Sequence, residues 1–423
     1  MPSSPPRRAV TVLQIIPTLV TGGAERATID IAAALAARGD RALVASEGGR
    51  LVDELRSVGG EFVRMPLSWK NPVMLLANAR RLAALIAAER VDIVHVRSRA
   101  PAWSTFLACR RTGVPFVTTY HGIYGETNAL KRLYNSVMVR GAAVIANSRY
   151  TAELIRVRYR TAAEKIAIIP RGTDLDRFDP KNVDPARRNS LRQAWRIGRD
   201  KRIVLNLARL TGWKGQRVLI EAAALPPLAG RADTMLVLAG DAQGRDQYRL
   251  ELERLIETRG LEERVRIVGH CDDAPAALAL ADIAIVASTE PEAFGRTAIE
   301  AAAMGVPVVA TALGATEETV LAPPAVTPAE RTGWLVRPGD ATALAEAIGE
   351  ALRLPAPERI LLGARARRHA ESFTTEAMQD ATLALYDRLL ARAAGSSRFT
   401  PPTWLGPRRP TSTTSPARPF RTS

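Results

Sequence analysis

The segment Glu290-Pro291-Glu292-Ala293-Phe294-Gly295-Arg296-Thr297-Ala298-Ile299-Glu300 sets one carboxylate in a loop and a second eight positions later, on a helix predicted to open at Gly295. The apolar run Val306 to Ala310 follows directly and reads as a buried strand. The first free N–H groups of that helix, at Gly295, Arg296 and Thr297, make a site for an anion. Glu292 and Glu300 beside it would repel the anion, so they read as acceptors for neutral hydroxyls. A ligand that offers phosphate together with many hydroxyls is a nucleotide sugar.

Other residues carry compatible chemistry. Arg209 and Lys214, in Arg209-Leu210-Thr211-Gly212-Trp213-Lys214-Gly215, follow the strand candidate Ile203–Ala208. A guanidinium fork and a point-like ammonium suit a diphosphate leaving group, whose developing charge they would stabilise. The alternative is a solvated basic loop. Gly22 and Gly23 sit between a first strand and a first helix, where they let backbone approach a ligand; an ordinary glycine turn is the competing reading. His121, in Thr118-Thr119-Tyr120-His121-Gly122, ends a strand and can donate to a sugar hydroxyl, whereas His95 lies inside a strand and reads as structural. Asp174-Leu175-Asp176 imitates an Asp-X-Asp metal motif, but it belongs to the turn Pro170 to Phe178 and reads as a connecting loop. No His/Cys spacing suggests a metal, and neither a Gly-X-Ser-X-Gly elbow nor a Walker loop occurs. No metal or cofactor is expected, the nucleotide sugar being a co-substrate.

The elements that must position these residues alternate along the chain. Strand candidates are Val10–Pro17, Ala42–Ser46, Phe62–Pro66, Asp92–Val96, Phe116–Tyr120, Ala143–Ala146 and Ile166–Ile169, then a second series beginning at Arg202 with Thr234–Ala239, Val265–Val268, Ile283–Ala287 and Pro307–Ala310. Helical patterns separate them, and near-continuous Val/Ile runs argue parallel sheets covered on both faces. The expectation is α/β: two tandem, Rossmann-like, doubly wound domains facing a central cleft, with ligands beyond the carboxyl ends of the strands. The expected boundaries are a first domain at 1–180, a linker at 181–199, a second domain at 200–370, a closing segment at 371–394 and a disordered tail at 395–423. The tail holds six prolines and five arginines without hydrophobic periodicity.

With 47% hydrophobic and 24% charged residues, 423 residues supply two cores. Two cysteines, Cys109 and Cys271, exclude a disulfide framework and point to a reducing compartment. Ala9 to Pro17 is too short for a signal segment, and no apolar run approaches the roughly 20 residues of a transmembrane helix. Residues 1–190 hold 29 Lys/Arg against 16 Asp/Glu, while 191–394 hold 25 against 27, so only the first half invites an anionic partner. Free use of arginine throughout the proteome is the alternative.

Taken together, Gly22-Gly23, His121-Gly122, Asn147-Ser148, Pro170 to Phe178, Arg209 with Lys214, and Glu292 to Glu300 resemble the retaining glycosyltransferases of the GT-B fold often called group 1 or family 4, over residues 9–390. The looser likeness is to bacterial lipopolysaccharide-core enzymes. The resemblance implies catalytic roles for His121, Glu292, Arg209 and Lys214. Arg209 and Lys214 would hold the diphosphate in place of a metal. Gly22, Gly23, Phe294, Gly295, Arg296 and Thr297 would complete the donor cradle, Glu300 would accept from ribose, and Glu292 would orient the sugar. Gly269 to Asp273 would lie near the base. Arg97, Arg99 and Tyr124 resemble acceptor-side residues of that subgroup. Transfer with retention would proceed by front-face attack, the leaving phosphate helping to remove the acceptor proton. Thr375 to Leu390 would cross back onto the first domain, with Glu371 to Thr374 a hinge candidate. Two departures add positive charge: Arg171 stands where many members have Asn, and Arg296 where an apolar residue is frequent.

The expected protein is thus a cytoplasmic glycosyltransferase stationed peripherally on the inner face of the membrane. It would bind an anionic surface through its basic first domain and use a lipid-linked or lipopolysaccharide-core acceptor. A sugar-nucleotide epimerase on the same architecture is one rival. A basic protein that binds membrane surfaces or nucleic acid is the other; only 5% aromatic residues argue against stacking platforms, so no nucleic acid is expected.

Overall fold

The computed structural model describes residues 8–396, apart from Thr21 and Lys70. The first sheet contains β1 (Thr11–Ile15), β2 (Arg41–Ser46), β3 (Glu61–Arg64), β4 (Ile93–Val96), β5 (Phe116–Tyr120), β6 (Ala143–Ala146) and β7 (Ile166–Ile168), in the order β3-β2-β1-β4-β5-β6-β7. The second contains β8 (Arg202–Leu207), β9 (Thr234–Ala239), β10 (Val265–Gly269), β11 (Ile283–Val286), β12 (Val308–Thr311) and β13 (Gly333–Val336), in the order β10-β9-β8-β11-β12-β13. Every strand pair is parallel. Parallel strands need covered crossovers, and helices supply them on both faces, so the Val/Ile runs are buried on two sides. The chain therefore has the two-domain Rossmann-like architecture of the GT-B fold.

Strand order reverses between β1 and β4 in one sheet and between β8 and β11 in the other. At such a switch point neighbouring connections leave in opposite directions and open a crevice at the carboxyl ends. The loops after β1, β8 and β11 carry Gly22-Gly23, Arg209 to Lys214 and Glu290 to Gly295, so topology alone gathers them.

Each sheet is packed on both faces by separate apolar clusters. The terminal helix Thr375–Ser396 crosses back to the first domain, where Met378, Leu385, Tyr386 and Leu389 bury against Ile31, Leu35 and Ile145. Tyr386 and Thr119 hydrogen-bond the two ring nitrogens of His95 at 2.6 and 2.7 Å, which makes that histidine a strut between sheet and helix. The outgoing and returning crossings meet one another: Thr173 N–H donates to Phe373 O at 2.8 Å, and Thr375 N–H to Thr173 O at 3.2 Å.

The structure adds to the sequence reading in three places. Residues 181–199, expected as a linker, contain the helix Pro185–Ala194, and Val183, Trp195 and Ile197 lie in the second core beside Phe178. β13 was not expected, because four residues after a proline-containing stretch offer little period to read. Gly395 and Ser396, placed in the tail, belong to the terminal helix, and 397–423 lie outside the described residues. Among the described residues no helix is long and apolar enough to cross a membrane. Cys109 and Cys271 are both free.

Candidate active site

A cavity of about 550 Å³ opens between the domains. From the first domain it is lined by Gly22, Gly23, His121, Asn147 and Arg171, among others. The second domain contributes Arg209, Lys214, the loop His270 to Asp272, Glu292 and the run Phe294 to Thr297, with Glu300 behind it. The structure thus brings together all the expected catalytic and donor-binding residues.

The second-domain wall is built on the helix Arg296–Ala303. Gly295 caps it in the left-handed region (φ +81°), a conformation that glycine adopts without strain. The helix begins directly after it, and Gly295, Arg296 and Thr297 line the cavity with N–H groups that have no partner within the helix. Glu292 is held twice: Lys214 Nζ pairs with its Oε1, and Ser288 Oγ donates to the same oxygen at 2.6 Å. Arg296 Nε lies 2.9 Å from Glu300 Oε1 across one helical turn. Lys214 also rests over the Trp213 ring at 4.2 Å, while Arg209 is exposed, its Nη1 reaching Gln243 at 3.4 Å. Phe294 is buried and meets Phe373 edge-on at 5.6 Å, tying the loop to the segment that returns to the first domain.

The first-domain wall has a different character. Gly22 takes φ +140°, allowed only to glycine, and lets the helix Gly23–Ala37 begin at the cavity edge. His121 is half-buried beside Arg171; desolvation first, then that guanidinium, hold its imidazole well below the usual range, so it is neutral. Its Nε2 has no partner in the protein. Asn147 is 1% exposed, and neither its amide oxygen nor its amide nitrogen is hydrogen-bonded. A buried amide left without partners costs about 1–3 kcal/mol, so a site that keeps one is prepared for a ligand. Asn147 was recognised only as part of a motif; the useful signal is that it sits at the carboxyl end of β6, as His121 does at β5.

The dipeptide Asn147-Ser148 also joins the domains. Ser148 Oγ donates to Ala293 O at 2.8 Å, in the loop that carries Glu292 and Phe294. Glu318 receives the N–H groups of Arg149 and Tyr150 at 2.9 and 2.8 Å, capping the helix Arg149–Tyr159 from across the cleft.

The expected acceptor-side residues lie elsewhere. Arg97, Arg99 and Tyr124 do not line the cavity. Arg97 is 4% exposed and donates twice to Gln14 Oε1, at 2.9 and 2.6 Å. Arg99 bonds Asn135 Oδ1 at 2.8 Å and stacks over the Tyr124 ring at 4.0 Å. A strand end that faces the crevice does not make every following side chain do so; Arg97 is buried within the first domain, while Arg99 and Tyr124 are half-buried against one another.

Two parallel-sheet domains around this cleft define a GT-B enzyme, and comparison with known proteins narrows the class. A model of glycosyltransferase family 4 matches residues 21–177, and one of the group 1 glycosyl transferases matches 187–369. The D-inositol 3-phosphate glycosyltransferase of Geodermatophilus obscurus is 31% identical over 75% of this chain and 71% of its own. A solved glycosyltransferase of Rickettsia africae superposes with a TM-score of 0.82 at 35% identity, covering 91% of this chain and 99% of that one. The Anabaena protein HepE, solved with UDP and glucose, gives 0.74 at 25% identity, covering 92% of this chain and all of its own. This chain belongs to the group 1 family of glycosyltransferases, and is an enzyme of that class.

Proposed function

We propose that this enzyme transfers a sugar, with retention and without a metal, from a nucleoside diphosphate sugar to a lipid-linked or lipopolysaccharide-core acceptor in envelope polysaccharide synthesis. The carrying observation is the second-domain wall, where two cations and a helix N-terminus stand beside two carboxylates in one cavity. Arg209, Lys214 and the N–H groups of Gly295 to Thr297 suit the diphosphate, and Glu300 and Glu292 suit ribose and sugar hydroxyls. The ion pair between Lys214 and Glu292 supports a donor whose diphosphate and sugar ends lie next to each other. HepE, with UDP and glucose, makes UDP-sugars the first donors to try. On the epimerase reading a base would be required in each domain, yet among the described residues those lining the cavity from the first domain include no carboxylate.

Thermal unfolding with a panel of UDP-, GDP- and ADP-sugars tests the donor. A ligand at 100 times its Kd adds about 2.7 kcal/mol of stability, and Lys214→Ala and Glu300→Ala should abolish the shift. The reading fails if no nucleotide sugar shifts the transition.

A membrane-surface acceptor has support of its own. Leu130 and Leu133 are 78% and 53% exposed on the helix Ala129–Asn135, and Val157 is 63% exposed on the helix Arg149–Tyr159. Lys131, Arg132, Arg156 and Arg160 share these segments, so apolar and basic groups would meet anionic lipid together. Co-sedimentation with phosphatidylglycerol vesicles should be lost in Leu130→Asp/Leu133→Asp and weakened by salt. Equal binding to neutral vesicles would remove the electrostatic part.

A further inference from the structure

The loop after β5 and the loop after β7 meet at one side-chain contact. Arg171 Nη2 lies 3.0 Å from His121 Nδ1 and 3.3 Å from the His121 carbonyl oxygen. A guanidinium offers only N–H donors and does not give up its proton, so the ring nitrogen facing it must present a lone pair. A singly protonated ring then carries its hydrogen on Nε2. A doubly protonated ring would set an N–H against the N–H of a cation. Nε2 is the buried nitrogen without a protein partner, on a residue that lines the cavity together with Asn147.

We propose that Arg171 is a positioning residue: it holds His121 neutral and in the Nε2–H tautomer, so that His121 serves the bound glycosyl group as a hydrogen-bond donor and not as a base. The assignment rests on the nucleotide-sugar reading of the cavity for its functional half, and on geometry alone for the tautomer. Space around the guanidinium enforces it. A Cβ on Gly23 would lie 1.8 Å from Arg171 Nη1 and 3.5 Å from Arg296 Nη1, so a side chain at 23 would push the guanidinium from its present place against the ring. The charged and titratable groups that face this pair are Glu25 from the first helix, His95 on β4, Arg97 just after it, and Arg296 and Glu292 from the second domain. Burial and the nearby Arg296 lower the Arg171 guanidinium to about 10, which leaves it charged at neutral pH.

The test is long-range proton–nitrogen NMR of the full-length, histidine-labelled protein without substrate; His121→Asn assigns the signal among the four histidines. The expected spectrum shows an unprotonated Nδ1, a protonated Nε2 and no titration between about pH 5 and pH 8. Arg171→Met should give mixed tautomers and a titrating ring; Arg171→Lys, which keeps a donor, should restore Nε2–H. Gly23→Ala should resemble Arg171→Met without altering either partner. A protonated Nδ1 in the unsubstituted protein overturns the proposal whatever the variants do, and so does an Arg171→Met spectrum unchanged from it. These spectra need no donor, so failure of the nucleotide-sugar reading would appear separately, in the thermal shifts. In the transfer reaction Arg171→Met should lose about tenfold in kcat/KM, the worth of one hydrogen bond, and gain a pH dependence near neutrality that Arg171→Lys lacks.

Discussion

The two walls of the cleft solve opposite problems. On the second-domain side most charged groups already have partners: Lys214 with Glu292, Glu292 with Ser288, Arg296 with Glu300. On the first-domain side, beside the charged Arg171, two neutral groups lack partners: His121 Nε2 and both ends of the Asn147 amide. A paired charge can exchange its partner for a charged ligand at small net cost. An unpaired buried amide has a standing cost that a ligand able to hydrogen-bond it removes. The contrast assigns the charged part of the substrate to the second wall and its neutral hydroxyls to the first.

The assignment can be broken most directly at Lys214. Lys214→Ala should lower kcat/KM about 10²- to 10³-fold, as expected for loss of a group that stabilises charge in the transition state. A smaller loss than from a first-wall variant, in steady-state transfer assays, would reverse the assignment. Glu292→Gln should cost about 10²-fold in transfer yet tighten binding of free nucleoside diphosphate, because Lys214 loses its competitor. Calorimetry showing weaker nucleotide binding would mean that the pair acts as one unit.

Asn147→Leu should cost about tenfold in kcat/KM while leaving stability unchanged or raising it by about 1 kcal/mol, measured by denaturant unfolding. A clear loss of stability would show that the amide is satisfied within the fold. The smallest effect is expected behind the first wall, at Asp30. Its carboxyl is raised from 3.8 to about 6, chiefly by burial, against the pull of Arg26, Arg296 and Arg97. A carboxyl whose folded value exceeds its unfolded one favours the fold while protonated, and that contribution is lost as pH rises through the folded value. Asp30→Asn should therefore gain stability relative to the parent as pH rises between about pH 4 and pH 7; a gain on acidification instead would refute it.

Much of this was legible along the chain, for identifiable reasons. β5, β6 and β9 were read to the residue because buried parallel strands are short unbroken apolar runs with turn residues at both ends. Glu292 and Glu300 were readable because one loop and one helix set their separation, a local relation. Arg97 was misplaced because alternation on a strand says which face a residue takes only while the strand lasts. One residue past β4, the chain had turned the guanidinium under Gln14. β13 was missed because its place is set by β12 beside it, not by its own four residues.

By itself, then, the sequence determined what is local: alternating strands and helices, glycines where backbone must turn or approach, and carboxylates and cations at fixed offsets on the second-domain loops. The tertiary structure alone decided what depends on residues distant along the chain. It set Arg171 against His121, fifty positions apart, and so the ring nitrogen left to a ligand. It closed Ser148 and Glu318 across the cleft, and it left Asn147 unpaired in a buried wall. The reason is physical: hydrogen-bond partners and desolvation belong to places in space, and nothing in a residue's own neighbours along the chain specifies them.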